Sequence, residues 1–312
     1  MPNIEDFLLY DKDTSQLVIA YSDGADPNCA IVAPDARVPK SFQYITYPKG
    51  NFRFTGDTTR GVGDMNVQEL KIGGGTWTQG FLVEHPLESD PFDRQILNRD
   101  GVVKGISETD LTEKGIEVKN SLDQEWASKV IALATAITNK TTPTKKWNES
   151  GATPGANLRA AGIQFFKNCG RKPTHLLIPW IVFQHMGGAC RAEFGISKDI
   201  SDRAVVERIV LQNLGIPASN LLIPDQGVYN STSTEYEIEW GENVMLFYSK
   251  PSPTKKDVCF MKTFRPSDKP PYWQYAPYET SKKTGIQTQG VMEYFVKVTC
   301  EAAGYLLYNT LA

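Results

Sequence analysis

SETDLTEKGIEVKNSLDQEWASKVIALATAITN, residues 107–139, carries the strongest periodic signal in the chain. Val118, Leu122, Trp126, Val130, Leu133 and Ile137 follow one another at intervals of four, four, four, three and four. That spacing keeps them on one stripe of a 3.6-residue helix, and the stripe needs a sheet or a second helix to lie against. Ser107 offers an oxygen to the unpaired first-turn amides, and Glu108, Asp110 and Glu113 suit the positive end of the helix dipole. Gly115 is the weak point, and the regular part is expected to start after it. At about 1.5 Å per residue the helix is roughly 45 Å long, so it predicts an elongated molecule with this helix as its backbone.

Upstream, residues 41–88 place aromatic and β-branched residues on both sides of a Gly-, Asp- and Thr-rich middle. This predicts an extended β-hairpin, with Gly73, Gly74 and Gly75 interrupting the returning strand. A two-stranded hairpin is marginal alone in water, so Phe52, Phe54, Trp77 and Phe81 must be covered by this chain or by another. Residues 1–40 show no period long enough for a core element and read as an arm laid over something else.

Downstream, a polar connector (140–153) leads to a compact α+β region of roughly a hundred residues. Thr153 as N-cap, Pro154 and the face Leu158, Ala161, Phe165, Cys169 predict a helix ended by Gly170. A strand at 175–178, a short helix at 180–186 stopped by Gly187 and Gly188, and a helix from Asp202 to Leu214 follow. Residues 220–223 read as a strand, and 235–240 as a strand turning through 241–243 into 244–248. Beyond Pro251 the pattern predicts a strand at 255–264, an irregular loop at 266–278, a last strand alternating through Tyr294, Val296, Val298 and Cys300, and a buried GYLLYN. This tail is expected to give the long helix its sheet.

The 312 residues suggest about two domains. A net charge of -3 argues against a dedicated nucleic-acid grip. The N-terminus lacks a signal-peptide pattern and no apolar run is long enough to span a membrane, which predicts a chain made in a cytoplasm. Five scattered cysteines with no C-x-x-C pair read as reduced thiols in cores. Phosphate-loop, nucleophile-elbow and zinc-helix motifs are missing, and His85, His175 and His185 have no carboxylates at ligand spacing. Lys255 with Lys256 and Lys282 with Lys283 read as solvated faces. Paired carboxylates meet only in three dimensions, so composition leaves a β-rich hydrolase or a carbohydrate-binding protein open. No catalytic, metal or cofactor residue is assigned.

The order of parts then becomes informative: YPKGNFRF opening a hairpin, the long helix, PTHLLIP, the IPDQGVYN turn, WGENVMLFY, and VKVTCEAAGYLLYN near the end. In that order the chain resembles the major capsid proteins of tailed double-stranded DNA phages, the Hong Kong 97-type fold, over nearly its whole length. The resemblance implies an α+β fold with an N-terminal arm (1–40), an extended loop (41–84), and a peripheral domain carrying a spine helix (85–150, with return strands from 251–312). It also implies an axial α+β domain (151–250). It implies a non-enzymatic head protein with no cofactor, self-assembling into hexamers and pentamers of an icosahedral shell, located in the virion capsid and assembled in the host cytoplasm. The implied partners are further copies of itself, portal and scaffolding proteins, packaged double-stranded DNA held non-specifically and a decoration protein, with no membrane. An encapsulin-like nanocompartment shell is the alternative with the same fold. Some relatives carry a cleaved N-terminal scaffolding extension; this sequence starts directly on its arm, and if its 312 residues are the whole gene product the resemblance implies a separate scaffolding protein or none. Lys49 and Lys71 lie near the loop that forms Lys-to-Asn cross-links in some relatives, but no asparagine or promoting carboxylate matches, so that chemistry is not carried over.

Overall fold

The computed structural model describes residues 10–11, 26–47, 76–89, 92–93, 95–97, 103–105, 108–230, 235–275, 278–279 and 285–312. Five helices are used below: α1 (Pro27–Val32), α2 (Glu108–Thr135), α3 (Pro154–Cys169), α4 (Trp180–Phe194) and α5 (Asp202–Leu214). The strands that build the two main sheets and the hairpin are β1 (Asp35–Val38), β2 (Ser41–Thr46), β3 (Thr76–Phe81), β4 (Val83–Glu88), β5 (Lys140–Thr141) and β6 (His175–Leu177). They continue with β7 (Leu221–Leu222), β8 (Val244–Phe247), β9 (Met261–Pro266), β10 (Tyr272–Tyr275), β11 (Gln289–Val298) and β12 (Gly304–Leu307).

The first sheet runs Tyr10–Asp11, β10, β11, β9, β1, with β4 also paired to β11. Only the β9–β1 pair is parallel; the rest are antiparallel. The long helix α2 lies on one face of this sheet, chiefly over β11. Val118, Leu122, Trp126 and Val130 are buried there, Leu133 is partly buried, and Ile137 is buried just past the last helical turn. Trp126 donates its indole N–H to Thr263 Oγ1 on β9 (3.1 Å), and Thr263 Oγ1 in turn donates to the Ala33 carbonyl (3.0 Å). The hairpin base β2–β3 covers the sheet's other face. Phe264, the next residue on β9, meets Phe42 and Tyr44 at ring-centroid distances of 4.7 and 5.1 Å. The result is three layers: helix, sheet, hairpin base.

The second sheet runs β7, β6, β8, β12, β5. Helices α3, α4 and α5 pack against one another, and α3 lies on β12 and β8. Its core is continuous with the one under α2, joining Leu158, Phe165 and Leu246 to Trp126 and Val130 in one apolar cluster.

Several expectations are corrected. The helix over 107–139 spans Glu108–Thr135 and passes through Gly115 without a break, because packing on β11 outweighs one glycine's propensity cost; Ser107 lies outside the described residues. The supposed arm builds core after all: Cys29, Val32 and Ala33 are fully buried, and β1 pairs in parallel with β9. Elements of six and four residues are too short to show a period. Asp26 fixes this segment, accepting the Asn28 amide (2.9 Å) and the Trp240 indole N–H (2.9 Å).

Helix α4 does not stop at Gly187 and Gly188 but continues to Phe194 and ends at Gly195, which has φ 63°. Gly187 serves packing instead, since a Cβ there would fall 2.5 Å from the Asp202 Cβ at the start of α5. Thr153 precedes α3 without a side-chain cap bond; the Glu193 carboxylate, from α4, accepts the Gly155 and Ala156 amides at 2.8 and 2.9 Å. Gly170 ends α3 at φ 70°. Glu235–Ile238 pairs with Gly227–Asn230 rather than turning back on 244–248; β8 instead takes β6 and β12 as neighbours. The tail strand begins at Met261, not 255, because residues 254–257 form a hydrogen-bonded turn. Residues 272–275, expected as loop, form strand β10. The tail does supply the sheet under α2, through β9 and β11, but β12 crosses into the second sheet.

Candidate assembly surfaces

Strands β2 and β3 pair in antiparallel register from Ser41 opposite Phe81 to Thr46 opposite Thr76. Alternation divides their side chains. On the inner face Phe42 and Tyr44 are buried against Phe264 and Phe295, and Gly80 opposite Phe42 leaves room for that ring; a Cβ on Gly80 would fall 2.8 Å from Phe42 Cζ. On the outer face Trp77 and Phe81 remain 49% and 59% exposed; Val83 and Leu87, on β4 of the first sheet, are exposed as well. Trp77 lies opposite Ile45, and the Lys256 ammonium stands 5.9 Å from its ring centre. Of the four aromatic residues expected to need cover, Trp77 and Phe81 are thus largely open within this chain, while Phe52 and Phe54 lie outside the described residues.

On the helix side of the sheet an open groove of about 430 Å³ separates β4 from α2, walled by Val83, Ala132, Leu133, Phe295 and Val296. Its polar end is a closed network. Lys129 Nζ donates to Glu125 Oε1 (2.5 Å) and Tyr294 Oη (3.1 Å). His85 stacks on the Tyr294 ring at 4.2 Å, with Nδ1 3.4 Å from Lys129 Nζ and 3.6 Å from Glu125. Burial and the Lys129 charge hold His85 below the usual imidazole range, outweighing Glu125. Burial works against the Lys129 charge, yet its bonds to Glu125 and Tyr294 hold it above the ordinary lysine value. Such a network positions side chains. It presents no nucleophile with an adjacent base, and among the described residues no group of three or more His, Cys, Asp or Glu is placed to hold a metal ion.

The other two histidines serve elsewhere. His175 stacks on Phe247 at 5.3 Å within the second sheet and burial lowers its pKa; His185 is exposed on α4. All five cysteines are buried and unpaired, and burial pushes Cys190 and Cys300 up to about 12 and Cys169 to about 11. No described helix is long and apolar enough to cross a membrane.

Exposed apolar side chains on the helices escaped the sequence reading. Ile163 and Phe166 on α3, Trp180 and Ile181 on α4, and Leu211 on α5 are all well exposed. The signal was present for α3, where Ile163 and Phe166 fall off the buried stripe Leu158, Ala161, Phe165, Cys169. Among the described residues the unusual surfaces are open apolar faces.

No protein-family model matches the chain, and no curated protein matches it. Its fold, however, is shared end to end with solved structures. A phage-related protein from Bordetella bronchiseptica RB50 is 14% identical, with a TM-score of 0.67 over 97% of this chain and 98% of that one. A candidate prophage capsid protein from E. coli CFT073 is 8% identical, with a TM-score of 0.52 over 98% and 99%. A virus-like particle from Pyrococcus furiosus is 10% identical, with a TM-score of 0.51 over 97% and 99%. At these identities the likeness is one of fold: a mixed α+β architecture of the phage-capsid type.

Proposed function

We propose that this chain is a major capsid (head) protein that self-assembles into hexamers and pentamers of an icosahedral shell enclosing phage double-stranded DNA. The observation that carries the reading is the end-to-end likeness of fold, 97% of the chain at a TM-score of 0.67, to a phage-related protein. The surface supports it. A subunit that functions alone has little reason to leave Trp77 and Phe81 open on one strand and Ile163 and Phe166 open on one helix; a subunit that tiles a shell needs such faces. A mild net charge of -3 suits a wall that must release the nucleic acid it encloses.

On this reading α2 is the spine helix and the sheet beneath it the peripheral domain, formed by residues 85–150 and 251–312, with α1 and β1 of the arm woven in. The hairpin of 41–84 is the extended loop, and 151–250 with β12 is the axial domain. Phe52, Phe54, Trp77 and Phe81 are its inter-subunit contacts. Further copies of the chain, portal and scaffolding proteins, a decoration protein and non-specifically held DNA are the partners, with assembly in the host cytoplasm and the virion capsid as destination. The chain has no catalytic role.

Expression followed by size-exclusion chromatography and electron microscopy tests the proposal. Closed particles or capsomers are expected, and a chain that stays monomeric at high concentration refutes it. An encapsulin-like compartment, holding protein cargo instead of a genome, is the second reading with the same fold. Nuclease-protected DNA in particles recovered from phage-producing cells distinguishes a head protein from such a compartment.

A further inference from the structure

Strand β11 divides its side chains between the two faces of the first sheet. Tyr294 turns toward α2, where its hydroxyl accepts from Lys129, and Phe295 turns toward the hairpin base, against Phe42 and Tyr44. Glu293 falls on the hairpin side with Phe295, and only 2% of it is exposed. Its Oε2 lies 3.9 Å from Lys269 Nζ, a long ion pair whose lysine is half-exposed and stands over the Trp273 ring. Its buried Oε1 has no hydrogen-bond partner among the described residues. A carboxyl group this dry, with one distant cation, is costly to keep ionised.

What faces it adds to that cost. In the antiparallel register Glu293 stands directly opposite Glu84 on β4. Directly opposed residues have Cβ atoms about 4.5–5.5 Å apart, so two glutamates there bring their carboxyl groups within reach, and two like charges repel. The charged groups around Glu293 are Glu84 on β4, Lys40 in the turn between β1 and β2, and Asp268 and Lys269 between β9 and β10. Lys40 is committed to Glu84, donating to its Oε1 (3.1 Å). Arg265 and Lys129 lie on the helix side, against Trp126 and Tyr294. Burial first, then the Glu84 and Asp268 charges, hold the Glu293 carboxyl above the usual carboxylate range, outweighing Lys269 and Lys40.

We propose that Glu293 and Glu84 form a proton-held pair, in which a protonated Glu293 carboxyl donates to the Glu84 carboxylate and so fastens β4 to β11. One proton then removes the buried charge and gives the Glu293 carboxyl a hydrogen-bond partner. Its loss leaves two carboxylates opposed across the ladder and weakens the pairing of β4. Below pH 4.5, the ordinary glutamate value, folded and unfolded chains both hold the proton and this contribution is whole; it is lost as pH rises through the higher value of the folded chain. Strand β4 follows β3 directly through Leu82, so the strand under proton control is the one from which the hairpin base is hung. The consequence for a shell rests on the reading given above: pH acts at the root of the strands that carry Trp77 and Phe81.

Glu293→Gln supplies a neutral side chain of nearly the same shape. Urea unfolding of unassembled subunits should show the variant gaining on the wild type as pH rises, so that the difference in midpoint shifts in its favour between about pH 4 and about pH 8. A difference that stays constant, or moves the other way, overturns the proposal. In a Glu84→Gln background the same comparison should give a smaller shift; an undiminished one means that burial alone acts on Glu293, and it overturns the pair. Infrared spectra add a signature that a merely structural role lacks. The wild-type spectrum minus that of Glu293→Gln should contain a protonated-carboxyl band above pH 4.5, and its absence overturns the proposal. Light scattering reads the shell consequence separately: wild-type assembly should weaken as pH rises, and Glu293→Gln assembly should change less. Equal pH dependence of the two refutes that consequence. A wild type that forms no particles refutes the shell reading, and the urea result still decides the pair.

Discussion

Truncating Trp126 to alanine should unfold the subunit rather than merely stop assembly. The ring is 5% exposed at the centre of the cluster joining α2 to its sheet, and emptying such a site costs about 3–5 kcal/mol. Two further losses add to it. The indole N–H bonded to Thr263 Oγ1 contributes about 0.5–1.5 kcal/mol. The Arg265 guanidinium, 5.2 Å from the ring centre, contributes about 0.5–1 kcal/mol. Because one substitution removes all three together, a total of about 4–7.5 kcal/mol is expected, most of the stability of an ordinary domain. Trp126→Phe keeps an aromatic ring and loses the donor and some volume, so about 1–2 kcal/mol is expected there. Urea unfolding of unassembled subunits measures both. An alanine variant whose urea midpoint matches wild type would show that α2 does not depend on this contact; a phenylalanine variant as damaged as alanine would show that the donor bond, not the volume, holds the helix down.

Trp77→Ala should behave in the opposite way, lowering subunit stability by less than about 1 kcal/mol because the ring is half exposed, while assembly followed by light scattering falls markedly; lost stability with normal assembly would refute its interface role. Gly187→Ala should destabilise by about 1–3 kcal/mol by driving a methyl into Asp202, whereas Gly188→Ala, with open space around it, should be neutral or stabilise by about 0.5–1 kcal/mol; equal thermal shifts for the two would show that α4 and α5 are not in close contact there. The buried thiols give a pH dependence. Cys190 and Cys300 ionise near 12 in the folded chain but around 9 when unfolded, so their contribution is whole below pH 9 and is lost as pH rises toward 12, by up to about 1.4 kcal/mol per unit per thiol. Lys262, pulled down to about 8 by burial, acts in the opposite sense between about 8 and 10.5, so the test compares the wild type with Cys190→Ala, whose stability should fall less steeply between pH 9 and 11.

What could be read from the residues alone was whatever repeats along them. The stripe from Val118 to Leu133 is long enough to show its period, and the structure seats it on β11. The signals that misled were single residues and short elements. Gly187 and Gly188 look like a helix stop, but their meaning depends on Asp202, fifteen positions away in sequence and touching in space. The capping of α3 by Glu193 has no local mark, since the acceptor arrives from another helix. Strands β1 and β10 have four residues each, below the length at which alternation separates from chance. For the surfaces, Trp77 and Phe81 could be singled out because a two-stranded hairpin cannot cover its own aromatic residues, and the structure leaves both rings largely open within this chain. The openness of Ile163, Phe166 and Leu211 was not, because it depends on which helix faces the fold leaves uncovered.

The second sheet takes its strands from residues 140–141, 175–177, 221–222, 244–247 and 304–307, and the last of these to be synthesised lies between two of the others. On the ribosome, β8 and β5 therefore wait, unbridged, for β12. A nascent chain halted before residue 304 can form its helices but cannot close this sheet, and it leaves the inner edge of β8 open to strand pairing with other molecules. The subunit's surfaces are thus completed only late in translation, so a polysome should carry few competent subunits. Chains truncated ahead of Gly304 belong with aggregates and chaperones rather than poisoning a growing shell.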